Sequence, residues 1–203
     1  MTGLPRTLLI ACGALARELV ALIEINRWDH VSVTCLPAIW HNTPQRIPAG
    51  IRAKIRANRR KFDRMLVIYG DCGTGGELDA VLEEEGIERI PGPHCYEFYY
   101  GAREFQDLME RDPTCFFLTD YLVRHFDRLM IQGLGIDKHP ELLPLYFGNY
   151  TKLIYLAQTD DARLREKAET AARRLGLAYE HRMTGYGDLG RFLERDRIGL
   201  DPS

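Results

Sequence analysis

Two stretches of the chain, L-L-I-A-C at Leu8–Cys12 and M-L-V-I-Y at Met65–Tyr69, are apolar at every position, and each stops at a glycine. A strand with one wet face alternates apolar and polar residues, so an unbroken apolar run belongs to a strand covered on both faces. Strands of that kind lie in parallel sheets with helices on either side, built by alternating the two element types. After Gly13, Leu15, Leu19, Leu22 and Ile23 recur at helical spacing, with Arg17, Glu18 and Glu24 read as lying off the stripe. Val31–Leu36 is rich in β-branched residues and is stopped by Pro37. The opening is therefore β-α-β.

The alternation continues. A basic helix over 51–62 precedes the Met65–Tyr69 strand, a helix runs from Gly76 to about Gly86, and Glu88–Ile90 makes a short fourth strand. Residues 97–111 read as an aromatic-rich helix, Cys115–Leu118 as a strand, and Thr119 as the cap of a further helix. A short helix starts at Pro140, and Lys152–Leu156 is a strand. A helix entered through Asp160 and Asp161 closes at Gly176, before a strand at Leu177–Glu180 and a last helix at Tyr186–Glu194. The expected architecture is a single α/β domain over 1–203, a three-layer, doubly wound, mainly parallel sheet with a helical insertion or cap at 97–150.

A length of 203 residues suits one domain. A net charge of −2 argues against a general nucleic-acid binder, which needs a strongly basic face. No apolar run approaches the ~18 residues that span a bilayer, and the apolar start is too short for a secretory leader. A cytoplasmic chain is expected, with no membrane partner and with its cysteines, 5 in all, kept as thiols.

Ligands of open α/β sheets gather beyond the carboxyl ends of the strands. Cys12 follows the first strand, Cys72 sits in the G-D-C-G-T-G-G turn after the third, and His94 and Cys95 occupy the P-G-P-H-C turn after the fourth. First and third strands are neighbours in common doubly wound orders, so Cys12, Cys72 and Cys95 are expected to converge, with His41 leaving the same edge. Cys35 and Cys115 lie inside apolar runs and read as core; for Cys12 packing is the competing reading, and for His41 an ordinary polar loop. Thiolate and imidazole are the usual ligands of zinc and related soft metals, and three ligands with an open position mark a catalytic site. The same three sulfurs would suit an iron–sulfur cluster.

The glycine turn offers a second feature. The amides of Gly73, Thr74, Gly75 and Gly76 open a helix and are expected to hold a carboxylate or phosphate of a small-molecule substrate. The spacing matches neither a dinucleotide fingerprint nor a P-loop. Asp71 is a candidate acid/base or a partner for an imidazole, as is His41 for proton transfer; turn formation is the plain role for Asp71. The basic helix reads as a solvated face before it reads as an anionic-cofactor site.

The blocks C-G-A-L-x-x-E-L, L-P-A-x-x-H-x-x-P, Y-G-D-C-G-T-G-G, G-P-H-C-Y-E, F-F-L-T-D and Y-F-G-N-Y resemble a prokaryotic domain family of unknown function, numbered 1638, over roughly residues 7–185. The resemblance places the family's Cys and His positions on Cys12, His41, Cys72, His94 and Cys95. It implies an association with corrinoid-dependent methyltransferases and other one-carbon enzymes. Three readings follow. The first is a zinc or iron protein on Cys12, Cys72 and Cys95, with His41 or His94 as fourth ligand, acting in methyl transfer or one-carbon metabolism as a metal-dependent transferase or lyase. The second is an accessory protein delivering metal or corrinoid to a methyltransferase or corrinoid-protein partner. The third is a metal-free thiol enzyme with Cys72 as nucleophile and Cys95 resolving.

Overall fold

The computed structural model describes residues 4–195. In chain order the elements are β1 (Thr7–Cys12), α1 (Ala16–Asn26), β2 (Val31–Leu36), α2 (Ile47–Asn58), β3 (Arg64–Ile68), α3 (Glu77–Glu85), β4 (Glu88–Arg89), α4 (Cys95–Tyr100), α5 (Ala102–Arg111), β5 (Cys115–Thr119), α6 (Asp120–Arg124), α7 (Leu143–Phe147), β6 (Lys152–Ala157), α8 (Ala162–Leu175), β7 (Ala178–Met183) and α9 (Gly187–Arg195). Strands alternate with helices and every pairing is parallel, so the α/β class holds. No helix among the described residues is long and apolar enough to cross a membrane.

The strands are divided between two sheets, in the orders β2-β1-β3-β4 and β5-β6-β7, and the chain divides into two compact units. One unit runs to Cys95 and resumes at Asp188; the other is Tyr96–Gly187. The single wound sheet expected over 1–203 is thus replaced by two, and the stretch 97–150, expected as a helical insertion, contains β5 and opens the second unit. The ends of that expected span, residues 1–3 and 196–203, lie outside the described residues.

The first sheet is built around β1, buried at all its positions, with Ile10 paired to Thr34 of β2 and to Val67 of β3. Successive side chains point to opposite faces, so complete burial means helices cover both. Ile47, Ile51 and Ile55 of α2 recur at helical spacing and are fully buried. That helix starts a turn earlier than 51, because Pro48 suits a first turn and Ile47 begins the apolar stripe. β4 contributes only two residues, partly exposed, and ends the sheet.

In the second unit, β6 divides its side chains by parity. Leu153, Tyr155 and Ala157 enter one core with Leu164, Ala168 and Leu175 of α8, while Ile154 and Leu156 enter another with Phe105 and Leu108 of α5. At the carboxyl ends of β5 and β6, Asp120 is fully buried. Its carboxylate accepts hydrogen bonds from Tyr155 Oη (2.7 Å), the Gln158 amide (3.0 Å) and Thr159 Oγ1 (2.5 Å), with Arg124 at 3.5 Å. So complete a set of donors makes Asp120 a clamp between strand ends.

Candidate functional site: a thiol cluster at the carboxyl edge of the first sheet

Cys12 is the last residue of β1, and its Sγ accepts a hydrogen bond from the Ala14 amide at 3.3 Å, capping a short 3-10 turn. Gly13 lets that turn pass close to the end of β2, since a Cβ there would stand 3.0 Å from the Leu36 carbonyl oxygen. Beyond β2, Pro37 leads into a 3-10 turn over Ala38–Asn42 that carries Trp40 and His41. Trp40 lies against Gly50 of α2, where a Cβ would fall 2.4 Å from its ring, and the Arg46 guanidinium stacks on it at 4.6 Å. The His41 loop is thereby pinned by an aromatic anchor. His41 Nδ1 lies 2.8 Å from the Ala38 carbonyl oxygen and 3.9 Å from Cys12 Sγ. A carbonyl can only accept, so Nδ1 carries a proton and, in the neutral ring, Nε2 keeps its lone pair.

The third strand runs on into Tyr69, Gly70, Asp71 and Cys72. Gly70 is where two turns meet: a Cβ would stand 2.9 Å from the Pro93 oxygen and 3.0 Å from the His94 nitrogen. The same turns are zipped by the Asp71 amide donating to Gly92 (3.2 Å) and the Cys72 amide donating to Pro93 (2.8 Å). Cys72 adopts a left-handed conformation at φ 49° and is buried. That conformation costs a non-glycine residue about 1–2 kcal/mol and recurs at functional sites.

Asp71 closes the turn on itself. It accepts hydrogen bonds from Thr74 Oγ1 (2.6 Å), Gly75 N (3.2 Å) and Gly76 N (3.0 Å), and its own carbonyl accepts from Thr74 N (3.0 Å). The Gly73 amide is bonded to the same carboxylate, and Glu77 N to the Thr74 carbonyl. In this geometry the amides of Gly73, Thr74, Gly75 and Gly76 are spent within the turn rather than turned towards a substrate anion. The carboxyl of Asp71 is held below the usual carboxylate range, first by the Thr74 hydroxyl and then by the glycine amides. It forms the turn and is poorly suited to proton transfer near neutrality.

Cys12, Cys72 and Cys95 all lie within electrostatic reach of Tyr69. Tyr69 is fully buried, and among the described residues its hydroxyl has no partner at strict hydrogen-bond geometry. Its polar neighbour is Cys12, whose sulfur is a weak acceptor. The His41 ring stacks on Tyr69 with centroids 5.8 Å apart. Burial pushes the Cys12 thiol up to about 11. Cys95 is half-buried as a residue but its thiol is desolvated, and burial together with Cys72 and Cys12 raises it well above the ordinary range. For His41, burial disfavours the charged form, but a hydrogen bond and charge attraction from Cys72, with the Ala38 carbonyl, outweigh it and raise its pKa.

Cys12 and Cys72 are thus within electrostatic reach of Cys95, and His41 is close to Cys12 and Cys72. His94 is exposed at the rim; burial of its ring and the nearby His41 lower its pKa. Cys35 is half-buried on β2 within electrostatic reach of Cys12, and Cys115 is buried on β5 of the other unit. Two further residues belong to the site. Tyr69 sits at its centre, and Glu18 of α1 is buried within electrostatic reach of Cys95. Glu18 follows Leu15 by three residues and precedes Leu22 by four, so it lies on the apolar stripe and not off it. Among the described residues, no three His, Cys, Asp or Glu side chains stand at metal-binding geometry.

None of the curated proteins matches the chain. A solved structure, ornithine carbamoyltransferase from Pyrococcus furiosus, aligns at 12% identity with a TM-score of 0.24, covering 87% of this chain and 53% of that one. The chain therefore spans about half the length of that protein, and a likeness this distant carries no argument. A family model does match, over residues 35–193, a stretch that includes His41, Cys72, His94 and Cys95 and begins after Cys12. The chain belongs to the family described as "Protein of unknown function (DUF1638)".

Proposed function

We propose that the protein binds a soft metal ion, zinc or iron, through Cys12, Cys72 and Cys95, with His41 as fourth ligand or proton carrier. One observation carries the reading: three thiols and an imidazole from four separate segments lie about the buried Tyr69, whose hydroxyl has the Cys12 sulfur, a weak acceptor, as its polar neighbour. The Cys12 and Cys95 thiols, pushed up by burial, are poorly ionised by themselves, and a divalent cation would supply the charge that lets them deprotonate as they bind. His41 is better suited than the exposed His94. Its Nδ1 donates to a backbone carbonyl, which orients Nε2 as a ligand in the manner common to metal-bound histidines. Loading would draw the side chains inward by rotamer changes from the hydrogen-bonded arrangement.

With three sulfurs on the ion and one position open, the metal would bind a small thiol or carbonyl substrate and act as a Lewis acid. A metal-dependent transferase or lyase in methyl transfer or one-carbon metabolism is the reaction class in keeping with that site. An accessory role, delivering metal or corrinoid to a methyltransferase, uses the same ligands and differs only in lacking turnover. The thiol-enzyme reading is the weaker, because a resolving Cys95 whose thiol is pushed well above the ordinary range is rarely a thiolate.

Elemental analysis of protein purified without an affinity tag tests the proposal. About one metal per chain (or one iron–sulfur cluster), lost in Cys72→Ala and Cys95→Ala but kept in Cys115→Ala, is the expected result. Substoichiometric metal that is indifferent to Cys72→Ala would overturn it.

A further inference from the structure

We propose a second ligand site in the Tyr96–Gly187 unit, a cationic groove that takes a phosphorylated small molecule carrying at least two negative charges. The groove has a volume of about 750 Å³, within the range of small-molecule sites. One wall is the stretch from Val123 to Gln132, and the other is the outer face of α8 from Arg163 to Arg174.

Its charges are unbalanced. Arg124 and Arg128 come from one wall and Arg163, Lys167 and Arg174 from the other, against the carboxylates of Asp127 and Glu166. Arg174 is paired with Asp127, and Arg124 with the buried Asp120 at 3.5 Å, so these two are already committed. The side chains of Arg128, Arg163 and Lys167 make no ion pair or hydrogen bond among the described residues. The basic helix α2 behaves otherwise: its Arg52 meets Glu84 at 2.7 Å and its Arg56 meets Glu85 at 2.8 Å across on α3, while Arg59, just past its end, meets Glu85 at 2.7 Å. There the fold supplies the anions; in the groove it leaves three cations on two facing walls, with Glu166 as the one uncommitted carboxylate of the lining among the described residues. Like charges gathered this way repel, and an anion lying between the walls removes that cost and gains charge-assisted hydrogen bonds. Arginine favours phosphate for its fork of donors, and two walls of cations call for more than one phosphate charge.

The backbone adds a second observation. Asp127–Gln132 is wound as a π-helix, a rare geometry often found at functional sites. It is the segment that carries Arg128 and Gln132 to the groove.

Isothermal titration of the full chain with inorganic pyrophosphate at fixed ionic strength tests the site, with amide chemical-shift mapping on the unaltered protein. Saturable one-to-one binding is expected, with shifts confined to 123–132 and 163–174. It should weaken at least about tenfold in Arg128→Gln/Lys167→Gln, since each lost phosphate contact is worth a factor of that order. Arg56→Gln should bind as the parent does. Absence of saturable binding would overturn the proposal, as would shifts elsewhere, equal binding by the double variant, or tighter binding of a single-stranded oligonucleotide than of pyrophosphate.

Discussion

Gly70 is the residue on which the approach of the Cys95 turn to β3 depends, and Gly70→Ala isolates that dependence. Its φ lies outside the left-handed region, so alanine carries no backbone penalty and only space is at issue. The added methyl would stand 2.9 Å from the Pro93 oxygen, 3.0 Å from the Pro93 carbonyl carbon and 3.0 Å from the His94 nitrogen. These are backbone atoms and cannot rotate away. Ordinary contact begins near 3.4 Å, so the 92–95 turn must retreat by about half an ångström. That retreat stretches the Asp71–Gly92 and Cys72–Pro93 hydrogen bonds, at 3.2 and 2.8 Å. Overpacking typically costs 1–3 kcal/mol and each weakened bond adds up to about 1, so a loss of about 2 kcal/mol is expected. For a chain of this size that lowers Tm by roughly 4–8 °C in calorimetry. Gly75→Ala is the control, because nothing lies within 4 Å of its Cβ and only its φ of 63° is strained, at about 1 kcal/mol. The Cys95 thiol should react faster with a thiol reagent in Gly70→Ala and at the parent rate in Gly75→Ala. A Gly70→Ala protein as stable as the parent, with Cys95 equally protected, would refute the account of how the two turns are held.

Removing the hydroxyl by Tyr69→Phe should leave the metal-free protein unchanged or stabilise it by about 1 kcal/mol, because a buried hydroxyl with a weak sulfur acceptor for its neighbour gains little in return for its desolvation; urea denaturation showing a loss above 1 kcal/mol would count against the reading of Tyr69. Asp120→Ala strands the Tyr155 and Thr159 hydroxyls and the Gln158 amide and should cost about 3 kcal/mol or more by the same assay. The carboxyls of Asp71, held down first by Thr74, and Asp79, held down first by Arg89, titrate below their unfolded values in the folded protein. Their stabilisation is therefore complete above the ordinary carboxylate range and is lost as pH falls through the depressed folded values; Tm should drop below about pH 4, and less steeply in Asp71→Asn.

The strands were legible because their signal is local. Leu8–Cys12 and Val31–Leu36 declare themselves by burial pattern and β-branching, and Thr7–Cys12 and Val31–Leu36 are strands in the fold. Which strand pairs with which is a long-range choice that no window contains. Glu88–Arg89 is too short and too exposed to carry a further neighbour, so β5 pairs with β6 and a second sheet begins. An alternating pattern reads the same for one sheet or two.

The placement of the cysteines at strand ends was legible for a related reason. A residue that directly follows a buried parallel strand must emerge at the sheet's carboxyl edge, so Cys12, Cys72 and Cys95 could be placed there from their positions alone. What escaped were the residues whose types gave no warning. Tyr69 continues an apolar run and reads as one more core residue; only the fold reveals that its hydroxyl ends among sulfurs, with the weak acceptor of Cys12 as its neighbour. The glycine turn misled in the opposite sense. Its amides have the composition of an anion cradle, but Asp71, the residue preceding Cys72, supplies the anion from within. Glycine spacing fixes where amides can point, whereas a carboxylate a few residues away decides whether they are already taken, and at this edge the Asp71 carboxylate has taken them.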